Sequence, residues 1–226
     1  MAPPLRIILI EERIALMADP VDLNDLLDQA AAGDTAAVTE LFSRYRGRLK
    51  RMVRLRLSRH LQARLDDSDI LQEACLEAAR RLPEYLRDKP LPFFLWLRHL
   101  TGQKLIDAHR RHLGAKLRDA AQEVSLHRGA IPAASSASLA AQLLGRLTSP
   151  SQAAIKAEAR LRVQDVLNSM DPIDREVLAL RHFEQLNNAE VAATLQINES
   201  TASSRYLRAL KRLKDEVKHI PGLIEP

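Results

Sequence analysis

Hydrophobic residues recur along this chain at three- and four-residue steps, the spacing that lines one face of a helix. The first such run spans Asp22 to about Ala32, where Gly33 stops it and Asp34 stands as N-cap of the next. That next helix carries Val38, Leu41, Phe42, Tyr45, Leu49, Met52 and Val53 at core spacing. "DDSDILQEACLEAARRL" announces a third, with Asp66, Asp67 and Ser68 as caps and Pro83 as its close. "FFLWLRHLTGQKLIDAHRRHL" is a fourth, long helix, and together these make a compact domain over residues 22–113. From 114 to 151 the sequence turns to Ala, Ser and Gly, and "GAIPAASSASLAAQ" has no strong apolar face, so a flexible linker is expected. Helical spacing returns over residues 152–220. Residues 1–21 are expected to be a poorly ordered extension, with Met17 an alternative start.

Composition sharpens this into an all-α protein of two small helical domains. Aromatics make up 4% of 226 residues and glycine is scarce, while Ala, Leu and Arg dominate. The formal charge of +5 suits a polyanionic partner but is weak support alone. Within it, "RYRGRLKRMVRLRLSRHLQAR" holds not one Asp or Glu, a density of one-signed charge expected to face phosphate. Cys75 is the only cysteine, which excludes an intrachain disulfide and a cysteine-built metal cluster; in its apolar run it reads as a small buried thiol. No segment approaches the roughly 20 apolar residues of a membrane span, and "LRIILI" is too short for a signal-peptide core, so a cytoplasmic protein is expected.

The candidate chemistry lies near the carboxy end. "NNAEVAATL" reads as a short helix, "QINE" as a tight turn, and Ser200 to Val217 as a second helix. Tyr206, Leu210, Leu213 and Val217 form its buried stripe, with Arg205, Arg208 and Arg212 on another face. This is a helix-turn-helix arrangement, in which the second helix enters the DNA major groove. Thr201, Ser203, Ser204 and Arg205 would then reach base edges, where each good contact discriminates by about 1–3 kcal/mol.

"MDPIDREVLALRHFEQLNNAEVAATLQINESTASSRYLRALKRL" resembles the promoter-binding domain of bacterial RNA polymerase sigma factors, through Asp174 to Leu178, Arg181, Glu190 to Ala192, Thr201, Ser204, Arg205, Arg208, Ala209 and Leu213. "DSDILQEACLEAARRL" resembles the sigma segment that docks on the polymerase clamp, with Asp69, Gln72 and Glu73 filling an Asp-x-x-Gln-Glu pattern. The fourth helix resembles the promoter-melting segment, through Phe93, Trp96, Leu97, Ile106, Asp107, Arg110 and Arg111. With no room for the central domain of housekeeping sigma factors, the resemblance is to the two-domain extracytoplasmic-function (ECF) class. Gln196 and Ser200 depart from it, standing where glycine is common, as do Ser203 in place of a basic residue and Gln103 in place of Asn.

The resemblance implies a transcription initiation factor and not an enzyme, with no catalytic group, cofactor or metal. It implies binding to core RNA polymerase through Asp69, Gln72 and Glu73. Upstream, Thr201, Ser203, Ser204, Arg205, Arg208, Lys211 and Arg212 would read the minus-thirty-five element as duplex. Downstream, Arg98, His99, Gln103, Lys104, Arg110 and Arg111 would hold the opening minus-ten element, with Trp96 more a core residue than a DNA contact. An anti-sigma factor is a frequent further partner in the class. The rival readings are a stand-alone helix-turn-helix regulator and, remotely, a metal-dependent enzyme using Asp66, Asp67 and Asp69, which no His-carboxylate pair or phosphate loop supports.

Overall fold

The computed structural model describes residues 20–57, 59–113, 131–145 and 153–218, and every regular element among them is helical. The extension expected over residues 1–21, Met17 included, lies outside the described residues apart from its last two, and so do 114–130 and 146–151 of the expected linker. Helix α1 (Pro20–Ala31) ends ahead of Gly33, whose φ of 90° only glycine adopts freely. Asp34 caps α2 (Thr35–Arg56) by accepting the Ala36 N–H at 2.8 Å. After the single turn α3 (Arg59–Gln62), Asp66 caps α4 (Asp67–Asp88) by accepting the Ser68 N–H at 3.0 Å, and α5 (Phe93–Leu113) follows. Helix α4 does not stop at Pro83 as its sequence predicts. Pro83 and Ala79 both lie on the exposed face, where water can satisfy the carbonyl that proline leaves unpaired, while Leu82 and Tyr85 are buried and hold the helix in register.

In the second half, α6 (Ser136–Gly145) and α7 (Ala153–Asn168) precede α8 (Pro172–Leu178), a π-helical turn (Ala179–Phe183), α9 (Asn188–Leu195) and α10 (Glu199–Val217). Helix α6 corrects the expectation of a flexible linker across 114–151. Leu139, Ala140 and Leu144 are fully buried against Val163 and Leu167 of α7 and against Phe183. A ten-residue helix is marginal alone, so its order comes from this burial and not from local propensity.

The two halves also interlock. Leu55 of α2 is fully buried within the second core, while Val177, Leu180 and Val191 join the first. The Ser135 N–H donates to the Leu55 carbonyl at 2.9 Å. The two halves are therefore packed against each other. Aromatic residues concentrate in the first core, where Trp96 stacks on Tyr85 with ring centroids 4.5 Å apart.

Gln196, in the turn between α9 and α10, sits at φ 55° and ψ 43°, the left-handed region that costs a side chain about 1–2 kcal/mol. This explains why glycine suits the position. Gln196→Gly is expected to raise stability by about 0.5–1 kcal/mol after the extra unfolded-state freedom of glycine is subtracted, read as a higher urea midpoint at unchanged slope. A lower midpoint would mean that the glutamine side chain contributes more than its backbone costs.

Candidate polymerase and nucleic-acid interfaces

The outer face of α4 follows from its inner one. Ile70, Leu71 and Ala74 are buried, so Asp69, Gln72 and Glu73 are turned outward, and all three are exposed. Glu73 accepts from Arg111 Nη2 of α5 at 3.2 Å, joining the two helices at the surface. Asp66 and Asp67 have structural duties instead: Asp66 caps the helix, and Asp67 pairs with Arg54 and lies 3.5 Å from Lys50. Burial pushes the half-buried Cys75 thiol up, against the opposing pull of Arg46, which leaves it a poor nucleophile.

On α5, His99, Gln103 and Arg110 share one face, while Lys104 and Arg111 lie about a third of a turn away, directed toward Glu77 and Glu73 of α4. His99 and Arg110 are exposed; the Gln103 amide meets His99 Nε2 at 3.0 Å, and Lys104 lies 3.7 Å from Glu77. Arg98 does not belong to this surface. It is 5% exposed and points the other way, its Nε donating to Glu184 Oε2 at 2.7 Å.

Helices α9 and α10 meet through a three-residue turn, and each helix begins at a side-chain cap. Asn187 and Glu190 form a reciprocal capping box at the start of α9, and Asn198 accepts the Thr201 N–H at 2.7 Å at the start of α10. Ala202, Ala209 and Leu213 face inward, which turns Ser204, Arg208 and Lys211 out to solvent, with Thr201 and Ser203 half-buried between. Arg212 is exposed and donates to Ser169 Oγ at 3.0 Å. Arg205 departs from its expected free position. It is half-buried, and its Nη1 donates to Asp174 Oδ1 at 2.6 Å. Asp174, in the first turn of α8, also lies 3.6 Å from Arg208, so this carboxylate positions both arginines.

The basic run on α2 is where the structure differs most from its sequence. Arg48 donates through Nε and Nη2 to the carbonyls of Glu184 and Gln185, both at 2.9 Å, and its guanidinium lies 3.5 Å over the Phe94 ring. Arg51 donates to the Phe183 carbonyl and to Gln185 Oε1, both at 2.7 Å. Arg56, without exposure of its side chain, pairs with both Glu176 and Glu184. The π-helical turn makes this possible: it ends at Phe183, and Gln185 at φ 59° turns the chain, which leaves carbonyls 183 to 185 for arginine. Glu184 is fully buried; burial alone would push its carboxyl up, but the guanidiniums of Arg56 and Arg98 outweigh that and hold it below its ordinary value. The sequence carried one faint sign of this cluster, a glutamate set in the apolar run "VLALRHFEQL".

A family model described as ECF sigma factor matches residues 20–219, which takes in every described helix. ECF RNA polymerase sigma factor SigD of Mycobacterium tuberculosis is 31% identical over 195 residues, covering 86% of this chain and 84% of that one. ECF RNA polymerase sigma factor SigK of Mycobacterium ulcerans is 28% identical over 194 residues, covering 86% and 92%. Among solved structures, CnrH in complex with the cytosolic domain of CnrY shares the fold at a TM-score of 0.50 and 21% identity, over 87% of this chain and 97% of that one.

Proposed function

We infer from one premise, that the chain belongs to the extracytoplasmic-function sigma factor family, that it binds core RNA polymerase and directs initiation at a specific set of promoters. The observation that carries this reading is the extent of the family match, residues 20–219, over both halves of the fold. A sigma factor lends sequence recognition to a polymerase that already has catalysis, so no reaction is assigned to the chain itself, and its place of action is the cytoplasm, with the polymerase. No helix among the described residues is long and apolar enough to cross a membrane.

Each surface then takes a role. The exposed face of α4, with Asp69, Gln72 and Glu73, docks on polymerase. His99, Gln103, Lys104, Arg110 and Arg111 hold the minus-ten element as it opens, where capturing an unstacked base offsets the few kcal/mol of extruding it. The amino-terminal end of α10 reads the minus-thirty-five element through Thr201, Ser203 and Ser204, with Arg208, Lys211 and Arg212 on bases or phosphates and Arg205 steering them from its pairing with Asp174. The likeness to a structure of CnrH with CnrY supports a regulatory protein partner as well.

The test is transcription in vitro with purified chain and bacterial core polymerase, without another sigma factor, over promoter fragments from its own genome. Discrete starts on fragments sharing two spaced elements are the expected result. Absence of any start, together with tight binding of the chain alone to palindromic duplex sites, would make it a stand-alone regulator instead. Asp69→Lys with Glu73→Lys is expected to weaken core polymerase binding at least about tenfold while shifting stability by no more than about 0.5 kcal/mol, because both side chains are exposed and the Glu73 to Arg111 bridge is a surface pair. Undiminished capture of core polymerase by the double variant would remove α4 from the interface.

A further inference from the structure

From the last residue of α3 to the first of α4 the chain reads Gln-Ala-Arg-Leu-Asp-Asp, residues 62–67, a short connection with one cation and two carboxylates. Its backbone is fixed. The Leu61 carbonyl accepts the N–H groups of Arg64 and Leu65 at 2.9 and 2.8 Å, and Gln62 Nε2 donates to the Leu57 carbonyl at 2.9 Å. Together with the end of α2 and with residues of α6 and α7, this connection walls a cleft of about 570 Å³. That size lies within the roughly 300–1,000 Å³ usual for small-molecule sites. None of the residues given a role toward polymerase or promoter lines it.

Three arginines line the cleft, and they differ in what they meet. Arg54 pairs with Asp67, which also lies 3.5 Å from Lys50, so that carboxylate is already neutralised. Asp66 is committed as the cap of α4, accepting the Ser68 N–H at 3.0 Å. Arg64 is exposed, and among the described residues its side chain has neither a carboxylate nor a carbonyl to donate to. Arg160 of α7 is half-buried; its Nη2 reaches only the Ala137 carbonyl, at 3.5 Å, and its Nε is withdrawn from water with no partner. A guanidinium left short of acceptors at the wall of a cleft suits an oxyanion, because its fork matches two oxygens of a phosphate. The other lining residues suit the rest of such a ligand. Leu57, Leu65 and Ala141 form an apolar wall, and the Gln142 amide, without a hydrogen bond among the described residues, offers the donor and acceptor that a purine edge requires.

We propose that this cleft binds a free purine nucleotide, with its phosphates on Arg64 and Arg160 and its base between the apolar wall and Gln142. The proposal goes beyond the sigma reading and does not depend on it. A ligand seated here touches the connection between α3 and α4 and also α6 and α7, all of which come apart on unfolding. Its binding free energy therefore adds to the stability of the folded chain, and the gain grows with ligand concentration.

The experiment titrates the full chain with ATP, GTP or inorganic phosphate by calorimetry, in buffer containing EDTA, and follows thermal unfolding with each. ATP or GTP at a hundredfold excess over its dissociation constant is expected to raise the midpoint by roughly 5–10 °C. Arg64→Glu and Arg160→Gln are each expected to weaken nucleotide binding at least about tenfold, the loss of one charge-assisted hydrogen bond. Arg64 is exposed, so Arg64→Glu should leave the midpoint without nucleotide unchanged and keeps the test clear of folding defects. Lys211→Glu, a charge reversal of the same kind on the exposed face of α10, is expected to leave nucleotide binding as it is. Absence of binding by both nucleotides at millimolar concentration would overturn the site. Binding that Arg64→Glu leaves intact, or that Lys211→Glu weakens equally, would overturn its location and move the nucleotide to a surface that meets DNA. Inorganic phosphate bound as tightly as ATP would overturn the nucleotide assignment. Initiation in vitro is read separately, so any of these failures leaves the sigma reading standing.

Discussion

Trp96→Ala is expected to destabilise the protein by about 3–5 kcal/mol, a large share of the 5–15 kcal/mol that holds an ordinary domain folded. The indole is 8% exposed, stacks on Tyr85 at 4.5 Å and packs against Phe93 with centroids 5.7 Å apart. Tyr85 in turn donates its hydroxyl to the Leu91 carbonyl at 2.9 Å, fixing the connection between α4 and α5. Loss of the indole therefore loosens the seam between α4 and α5, and the two activities proposed for these helices, polymerase docking and downstream DNA binding, should fall together with the unfolding midpoint. Trp96→Phe keeps an aromatic ring in the cluster and should restore most of each. A well-folded Trp96→Ala chain that binds polymerase normally but fails only to open promoters would place the indole on DNA instead.

Asp174→Ala is expected to cost about 2–3 kcal/mol. A buried ion pair broken on one side loses about 3–5 kcal/mol, discounted here because Arg205 is partly and Arg208 largely exposed. The carboxylate is the bolt between α8 and α10, and without it Arg205 and Arg208 lose their fixed directions. Upstream promoter recognition should weaken at the same time as stability, and Arg205→Ala should reproduce both losses. Lys211→Ala is the contrast, since Lys211 is exposed: stability should stay within about 0.5 kcal/mol, and the salt dependence of DNA binding should lose about one unit of slope if it meets a phosphate. Equal and selective loss of DNA binding in Arg205→Ala and Lys211→Ala, with neither destabilised, would show that Asp174 does not position Arg205 in solution.

Recognition of the individual helices needed little beyond the sequence. Caps at Asp34 and Asp66 lie within two residues of the backbone they satisfy, so their chemistry is local and can be read in order. The outward set Asp69, Gln72, Glu73 and the face His99, Gln103, Arg110 were legible for the same reason, because helical periodicity alone decides which residues share a side. Arg205 and Arg98 were misplaced because their partners are 31 and 86 residues away, beyond any periodic signal. Residues 136–145 read as linker because their apolar content is modest, and only burial against α7 makes them a helix.

What the sequence determined by itself, then, is the all-helical fold, the limits of several helices, and the motifs by which the family is known. Each depends on groups a few residues apart, where chain connectivity already supplies proximity. Only the tertiary structure decided the fate of the acid-free arginine run. Its density of one sign calls for a polyanion, and the fold supplies a substitute from the other half of the chain, Glu176, Glu184 and three carbonyls at the end of a π-turn and just past it. Charge states what kind of partner a surface needs; whether that partner is another molecule or a segment more than 100 residues along the same chain is settled by packing, because the free energy of bringing them together lies in Leu55, Val177 and Leu180 buried across the seam.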